Sequence, residues 1–279
     1  MKAFNAGGVD YITKPFETVE VVARVENQLR LRELELQLRE KNKILQREIA
    51  FREQAEIETR LLLETNKFQK EEIEELLLNI LPKAIADRLQ NGQSIIADSF
   101  SDVSVLFADL VGFTNFASQK SAAETVKILN QIFSQFDRLS LQHGLEKIKT
   151  IGDAYMVVGG LPEPQENHAL AIAQMALDMQ AALASFNLKY NQSFSLRIGI
   201  HIGGVVAGVI GLTKFSYDLW GDTVNVAHRM ESNGIPGQIQ VTAALYERLK
   251  DEFLFKIRGA IEIKGKGEMM AYLLLGRNL

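Results

Sequence analysis

No cysteine occurs among the 279 residues, which excludes disulfides, thiolate catalysis and cysteine-type zinc sites. Histidine is scarce as well: His143, His168, His201 and His228 are scattered, with no metal-ligand spacing such as HExxH. There is no excess of positive charge. Lys and Arg number 31 against 35 Asp and Glu, a net charge of -4, so no nucleic-acid partner is expected. Any polyanionic ligand would have to be held by a few placed cations and metal ions. No apolar run approaches the roughly 18 residues that a bilayer span requires, so no membrane span is expected. Met1 to Gly8 lack the apolar core of a signal peptide. The expectation is a cytoplasmic chain.

Proline and glycine are thin in one long stretch. From Val19 to Asn91 the only proline is Pro82, and the next glycine is Gly92. The stretch is dense in Glu, Arg, Gln, Leu and Lys, all good helix formers. Leu31, Leu34, Leu38 and Leu45 recur at spacings of three, four and seven, and Ile73, Leu76 and Ile80 do the same further on. Ile49, Phe51 and Leu61 leave that seam, so the pattern predicts a long helix that pairs with a partner, with stutters. A charged helix lying on its own domain is the alternative. So long a charge-rich helix has little within the chain to bury against, which favours dimerisation. Pro82 marks a break before a second short helix, Lys83 to Gln90.

Beyond Gln93 the pattern is mixed. Val103 to Phe107 reads as a buried strand and Ala122 to Leu141 as an amphipathic helix. Leu145 to Val158 reads as two strands around a tight Gly152-Asp153 turn. A helix is expected at His168 to Leu188, then strands at Phe194 to Val209 and Phe215 to Leu219. A helix follows at Thr223 to Met230, with further strands at Gln238 to Val241, Phe253 to Ile257 and Met269 to Leu275. The order β-α-β-β-α-β, with additions, predicts an α+β fold of the split βαβ type.

Three stretches carry candidate chemistry. In Phe107 to Thr114 a buried strand ends at Asp109, and a glycine turn then offers backbone N–H groups toward a helix start, suited to phosphate oxygens. Asp109 could equally cap the turn. In Glu146 to Tyr155, Asp153 sits at a hairpin turn. Beside Asp109 it would complete a pair of hard oxygen ligands of the kind Mg²⁺ takes; alone it is only a tight turn. In Tyr217 to Met230, Asp222 or Thr223 can cap a helix. On that helix Val226, Ala227 and Met230 form an apolar stripe, while Asn225 and Arg229 share another face. That face is either solvated or suited to charge developing on phosphorus. The lone Trp220 reads as packing in preference to base stacking.

These stretches resemble class III adenylate and guanylate cyclases. FADLVGFT, EKIKTIGDAYM, YDLWGDTVNVAHRM and IKGKGEMMAY occur in that family's order and spacing, over about Leu76 to Leu275. The resemblance implies a ferredoxin-like, palm-type catalytic domain over 93–279, behind a helical coiled-coil dimerisation and coupling segment over 31–92. It implies Asp109 and Asp153 as metal-binding aspartates, with the Leu110 carbonyl as a further ligand. Two Mg²⁺ ions per site are implied, with Mn²⁺ as a substitute. The turn Val111, Gly112, Phe113 and Thr114 and the side chain of Lys264 would take the triphosphate, Lys264 being preferred over its neighbour Lys266. Lys149 and Asp218 match the purine-reading positions, typically Lys and Asp in adenylate cyclases and Glu and Cys in guanylate cyclases. Asn225 would position the ribose and Arg229 would face the α-phosphate. The family's metal aspartates come from one subunit and its purine-reading groups from the other, so a homodimer acting on ATP is implied. A guanylate cyclase and a non-catalytic dimerisation module are the rival readings.

Residues 1–30 resemble the C-terminal remnant of a response-regulator receiver domain. Ala6 to Phe16 looks like its last strand, with Lys14 at the signalling lysine before a proline that is often cis. The resemblance leads us to expect receiver or sensor sequence upstream of this chain.

Overall fold

The structure is a computed structural model in which residues 10–12, 14–15, 17–211 and 213–278 are described. The chain forms two compact units, Met1–Glu75 and Leu76–Leu279. By packing the boundary falls between Glu75 and Leu76.

The first unit is built on α1 (Thr18–Leu78), 61 residues with none buried. Its charged residues pair at i and i+4: Glu20–Arg24 at 2.9 Å, Glu48–Arg52 at 2.6 Å, Arg60–Glu64 at 3.5 Å and Lys67–Glu71 at 3.8 Å. Exposed pairs of this kind contribute only about 0.3–0.5 kcal/mol each. At 100° per residue, Leu31, Leu34, Leu38 and Leu45 fall within a sector of about 60°, and each is 53–60% exposed. In the receiver-like run, Ala6 to Val9, Thr13 and Phe16 lie outside the described residues, and Asp10, Tyr11 and Ile12 belong to no strand.

The second unit is an α+β fold around an eight-stranded sheet. Its strands are β1 (Ala97–Val111), β2 (Glu146–Ile151), β3 (Ala154–Gly159), β4 (Ser195–Ile210), β5 (Ser216–Trp220), β6 (Ile239–Thr242), β7 (Phe253–Ile263) and β8 (Gly267–Arg277). The order is β2-β3-β1-β4-β6-β8-β7, with β5 paired to β4. The helices are α2 (Lys83–Gln90), α3 (Phe113–Ala117), α4 (Ala122–Gln142), α5 (His168–Tyr190), α6 (Asp222–Ser232) and α7 (Ala243–Leu249). The short α3 and α7 were not expected, and β1 begins six residues before Val103. A capping box between Ser121 and Glu124 starts α4.

The central strand β1 separates two cores by alternation. Leu106, Ala108 and Leu110 pack with Phe133 and Phe136 of α4, and with Ile172, Met175 and Met179 of α5. Val103, Val105 and Phe107 face the other way, toward Ile85 and Ala86 of α2, Tyr217 and Leu219 of β5, and Ala227 of α6. Among the described residues α5 alone has the length and apolar composition to cross a membrane. Its Ala169, Ile172, Met175, Met179, Leu183 and Phe186 lie in the first core, at 3% exposure or less.

Candidate active site

Strand β1 leaves the core at Asp109, two residues after Phe107 and so on the face that α6 covers. Register pairs Asp109 with Ala154, next to the β2–β3 turn. The Leu110 N–H donates to the Asp153 carbonyl at 3.3 Å. That turn has two central residues, Gly152 with φ 62° and Asp153, and the positive φ is one that glycine adopts without strain. The two carboxylates lie close enough to repel. Burial first, and Asp153 second, raise the Asp109 pKa above the usual carboxylate value, while Arg197 and His228 oppose the rise. Leu110 itself is only 1% exposed, with its side chain in the core beside α4 and α5.

Gly112, at φ 85°, turns the chain into α3. Phe113 is buried beside Phe116 and Phe194, with ring centroids 5.7 and 5.9 Å away. Val111, Gly112, Phe113 and Thr114 therefore offer backbone groups, among them first-turn N–H donors that lack an intrahelical acceptor.

Lys149 and Asp218 come from different strands and form an ion pair, with side chains 37% and 16% exposed. A β-bulge brings this about. Lys147 stands opposite Val157 and Lys149 opposite Met156, so Ile148 is the extra residue. Without the bulge both lysines would point to one face. As folded, Lys147 reaches Asp137 at 2.7 Å on the α4 side, whereas Lys149 crosses to the β5 side. Asp218 is steadied by its own Oδ1, which accepts the Leu219 N–H at 2.8 Å.

Gly221 stands at the N-cap of α6, and neither Asp222 nor Thr223 caps it, contrary to the sequence reading. Thr223 Oγ1 donates instead to the Gly204 carbonyl at 2.7 Å, and Asp222 pairs with Lys266 at 2.7 Å. Gly203 leaves the room this needs, since a Cβ there would lie 2.6 Å from Thr223 Oγ1. Val226, Ala227 and Met230 are buried, as their spacing predicted; Asn225 is exposed and Arg229 half-buried. Among the described residues neither the Asn225 nor the Arg229 side chain has an ion-pair or hydrogen-bond partner. Trp220 stands across from Val206 and is 40% exposed.

Lys264 lies in the β7–β8 turn and lines an open groove with Asn233 and Arg258. Because Lys266 is taken by Asp222, Lys264 is the lysine of this turn without an ion pair among the described residues. Two groupings are thus assembled within one chain, Asp109 with Asp153 and Lys149 with Asp218. Among the described residues no ion pair or hydrogen bond joins the first grouping to the second, or to Asn225, Arg229 or Lys264.

Residues 95–276 match the adenylate and guanylate cyclase catalytic domain family. The chain belongs to that family. An adenylate cyclase of Mycobacterium tuberculosis is 51% identical over 207 residues, which cover 74% of this chain and 47% of that protein. The human guanylate cyclase soluble subunit beta-2 is 41% identical over 254 residues, covering 89% of this chain and 39% of that protein. The chain thus spans about half the length of the mycobacterial relative, or less of the human one. The crystal structure of a guanylate cyclase domain from Catenaria anguillulae in complex with GTP superposes with a TM-score of 0.63, at 35% identity, over 65% of this chain and all of that one.

The donors of the cyclase domain suit a hard divalent cation. Among the described residues no group of three or more His, Cys, Asp or Glu is placed to hold a metal ion; Asp109 and Asp153 offer two carboxylates, and Leu110 a carbonyl. Mg²⁺ characteristically takes one or two carboxylates and fills its shell with water and substrate phosphates. Burial, and after it the Asp153 carboxylate, raise the Asp109 pKa, and an added positive ion would offset both.

Two charged residues at this site escaped the sequence reading. Arg197 of β4 reaches Asp109 Oδ2 at 3.0 Å and Glu231 Oε1 at 2.7 Å. Their only signals were an arginine beginning an apolar strand and an acid ending a helix, and neither reveals a contact across 88 positions of sequence.

Proposed function

We propose that this cyclase domain converts ATP to 3′,5′-cyclic AMP and pyrophosphate, as a homodimer that uses Mg²⁺. The observation that carries the choice of substrate is the Lys149–Asp218 pair at one edge of the sheet. Adenine presents an acceptor at N1 and a donor at its exocyclic amine. Lys149 Nζ donates to the first and Asp218 accepts from the second. Guanine presents the reverse pattern, and each mismatch leaves a polar group unpaired at a cost of about 1–3 kcal/mol. Guanylate cyclase activity is the competing reading, since the human relative carries that name; this pair opposes it.

The ribose 3′-oxygen attacks the α-phosphorus in line, the bond from the α-phosphorus to the bridging oxygen breaks, and pyrophosphate leaves. Asp109, Asp153 and the Leu110 carbonyl hold two Mg²⁺ ions, whose charge lowers the cost of phosphoryl transfer when they are bound; Mn²⁺ fits the same donors. The turn from Val111 to Thr114 and Lys264 hold the terminal phosphates. Arg229 neutralises charge growing at the α-phosphate, and Asn225 orients the ribose. The carboxylates of one copy work with Lys149, Asp218, Asn225, Arg229 and Lys264 of the other. That the Arg229 side chain has no partner among the described residues supports that division, as does the exposed apolar sector of α1. A reaction that draws on ATP and Mg²⁺ fits a cytoplasmic setting.

The test is incubation with ATP or GTP and Mg²⁺ or Mn²⁺, scored for both cyclic nucleotides. Cyclic AMP should dominate, and Asp109→Ala or Asp153→Ala should lower its rate by at least about 10³-fold while the dimer persists. Cyclic GMP as the main product would overturn the choice of substrate, and turnover surviving either alanine would overturn the metal assignment.

A further inference from the structure

The cyclase reading leaves one buried acid without a task. Glu231 closes α6 with its side chain 5% exposed, and its one close ion pair is to Arg197 Nε at 2.7 Å. His228 stands farther off, at 4.0 Å. A carboxylate this deep is strongly unfavourable unless paired. Arg197 does not serve Glu231 alone, since its other end donates to Asp109 Oδ2 at 3.0 Å. Among the described residues no hydrogen bond reaches Asp109 Oδ1. The frame holding these three groups has no slack. A Cβ on Gly199 would lie 2.0 Å from the Glu231 nitrogen, and one on Gly234 would lie 2.7 Å from Arg197 Cγ. Helix α6 is therefore seated directly on β4, and the guanidinium is held from both sides.

We propose that Glu231 is a positioning residue for the metal site, fixing Arg197 so that it holds Asp109 by one oxygen and leaves the other for the cation. The proposal rests on Asp109 being a metal ligand. Bridging two carboxylates, the Arg197 guanidinium neutralises each only in part, so Asp109 keeps charge for a cation. With Glu231 neutral, Arg197 pairs with Asp109 alone, and an incoming ion must compete with it. Partners that hydrogen-bond a ligating carboxylate typically change metal affinity about 10- to 100-fold. Glu231 also shares α6 with Asn225 and Arg229, so the helix that carries groups for one site of the dimer is tied to the metal ligand of the other.

The experiment is a Mn²⁺ titration of the nucleotide-free protein, with free ion followed by electron paramagnetic resonance and folding by circular dichroism. Glu231→Gln should weaken Mn²⁺ binding about tenfold at least, and Glu231→Asp should recover part of the loss. Asp109→Asn should remove the site. Arg197→Lys keeps a charge but cannot bridge both acids; it should weaken Mn²⁺ binding too, and it carries the test if Glu231→Gln does not fold. Wild-type affinity in the folded Glu231 or Arg197 variant, with loss in Asp109→Asn, would overturn the relay and leave the metal site standing. Wild-type affinity in Asp109→Asn would overturn the metal site and the relay together.

Discussion

Helix α1, the longest helix, and strand β1, which carries Asp109, treat apolar residues oppositely. Over 15 residues β1 buries Val103, Val105 and Phe107 on one side and Leu106, Ala108 and Leu110 on the other. Over 61 residues α1 buries nothing. At about 25 cal/mol per Å² of apolar surface removed from water, β1 draws its stability from its own chain, whereas α1 has that driving force still unused. A strand packed on both sides can hold a catalytic carboxylate in place. A bare helix with an apolar sector is open to pairing, and the proposed active site needs a second copy to be complete.

The comparison breaks if the apolar sector of α1 can be charged without consequence. Leu34→Lys together with Leu38→Lys places two ammonium groups in the proposed seam. Losing two buried leucines from a helix pair removes about 4–6 kcal/mol, so the dimer should weaken by about 10³-fold or more. Sedimentation should show monomers at micromolar concentration, with cyclic AMP formation lost in parallel and circular dichroism still helical. A dimer and a rate that both survive would mean that α1 is only a solvated helix.

Much of this was legible beforehand. Period-3.6 patterns located α4, α5 and α6 within a few residues, and the period-two pattern found the core of β1 but not its first six residues. What stayed hidden has particular causes. The bulge at Ile148 reverses the face of Lys149, and a one-residue insertion in a ladder has no signature in a lone sequence. The N-terminus of α6 looked like an aspartate or threonine cap, but tertiary contacts to Gly204 and Lys266 claimed both side chains. Arg197 and Glu231 meet only because α6 lands on β4 where Gly199 leaves it room. Contacts of that sort are decided by packing, which local pattern does not encode.

The second test sharpens the claim that β1 and its neighbours are rigid enough to discriminate. Lys149→Glu with Asp218→Cys should invert the hydrogen-bonding pattern that faces the purine. Two polar mismatches of about 1–3 kcal/mol each predict a fall of about 10²-fold in the ratio of kcat/KM for ATP to that for GTP. Each single substitution should lose activity on both nucleotides, because it leaves one partner of the ion pair unmatched. A ratio unmoved by the double substitution would mean that the pair only holds β2 against β5.

The smallest effect concerns what a packed region has to tolerate. The acids of α1 are solvated, whereas Glu146, at the start of β2, is largely enclosed and has no ion-pair partner among the described residues. Burial pushes its pKa up to about 7 from 4.5. The folded protein thus binds the Glu146 proton more tightly than the unfolded chain does, and stability must fall as pH rises from about 4.5 to about 7, then level off. Glu146→Gln keeps the shape and cannot ionise, so its stability should lack this decline. The variant should match wild type near pH 4 and exceed it by about 1–3 kcal/mol at pH 8, or several degrees in Tm for a domain of this size. Urea midpoints of both proteins at the two pH values decide the matter. Equal stability at pH 8 would mean that water or a moving cation reaches Glu146, and that this edge of the sheet is less closed than the β1 core beside it.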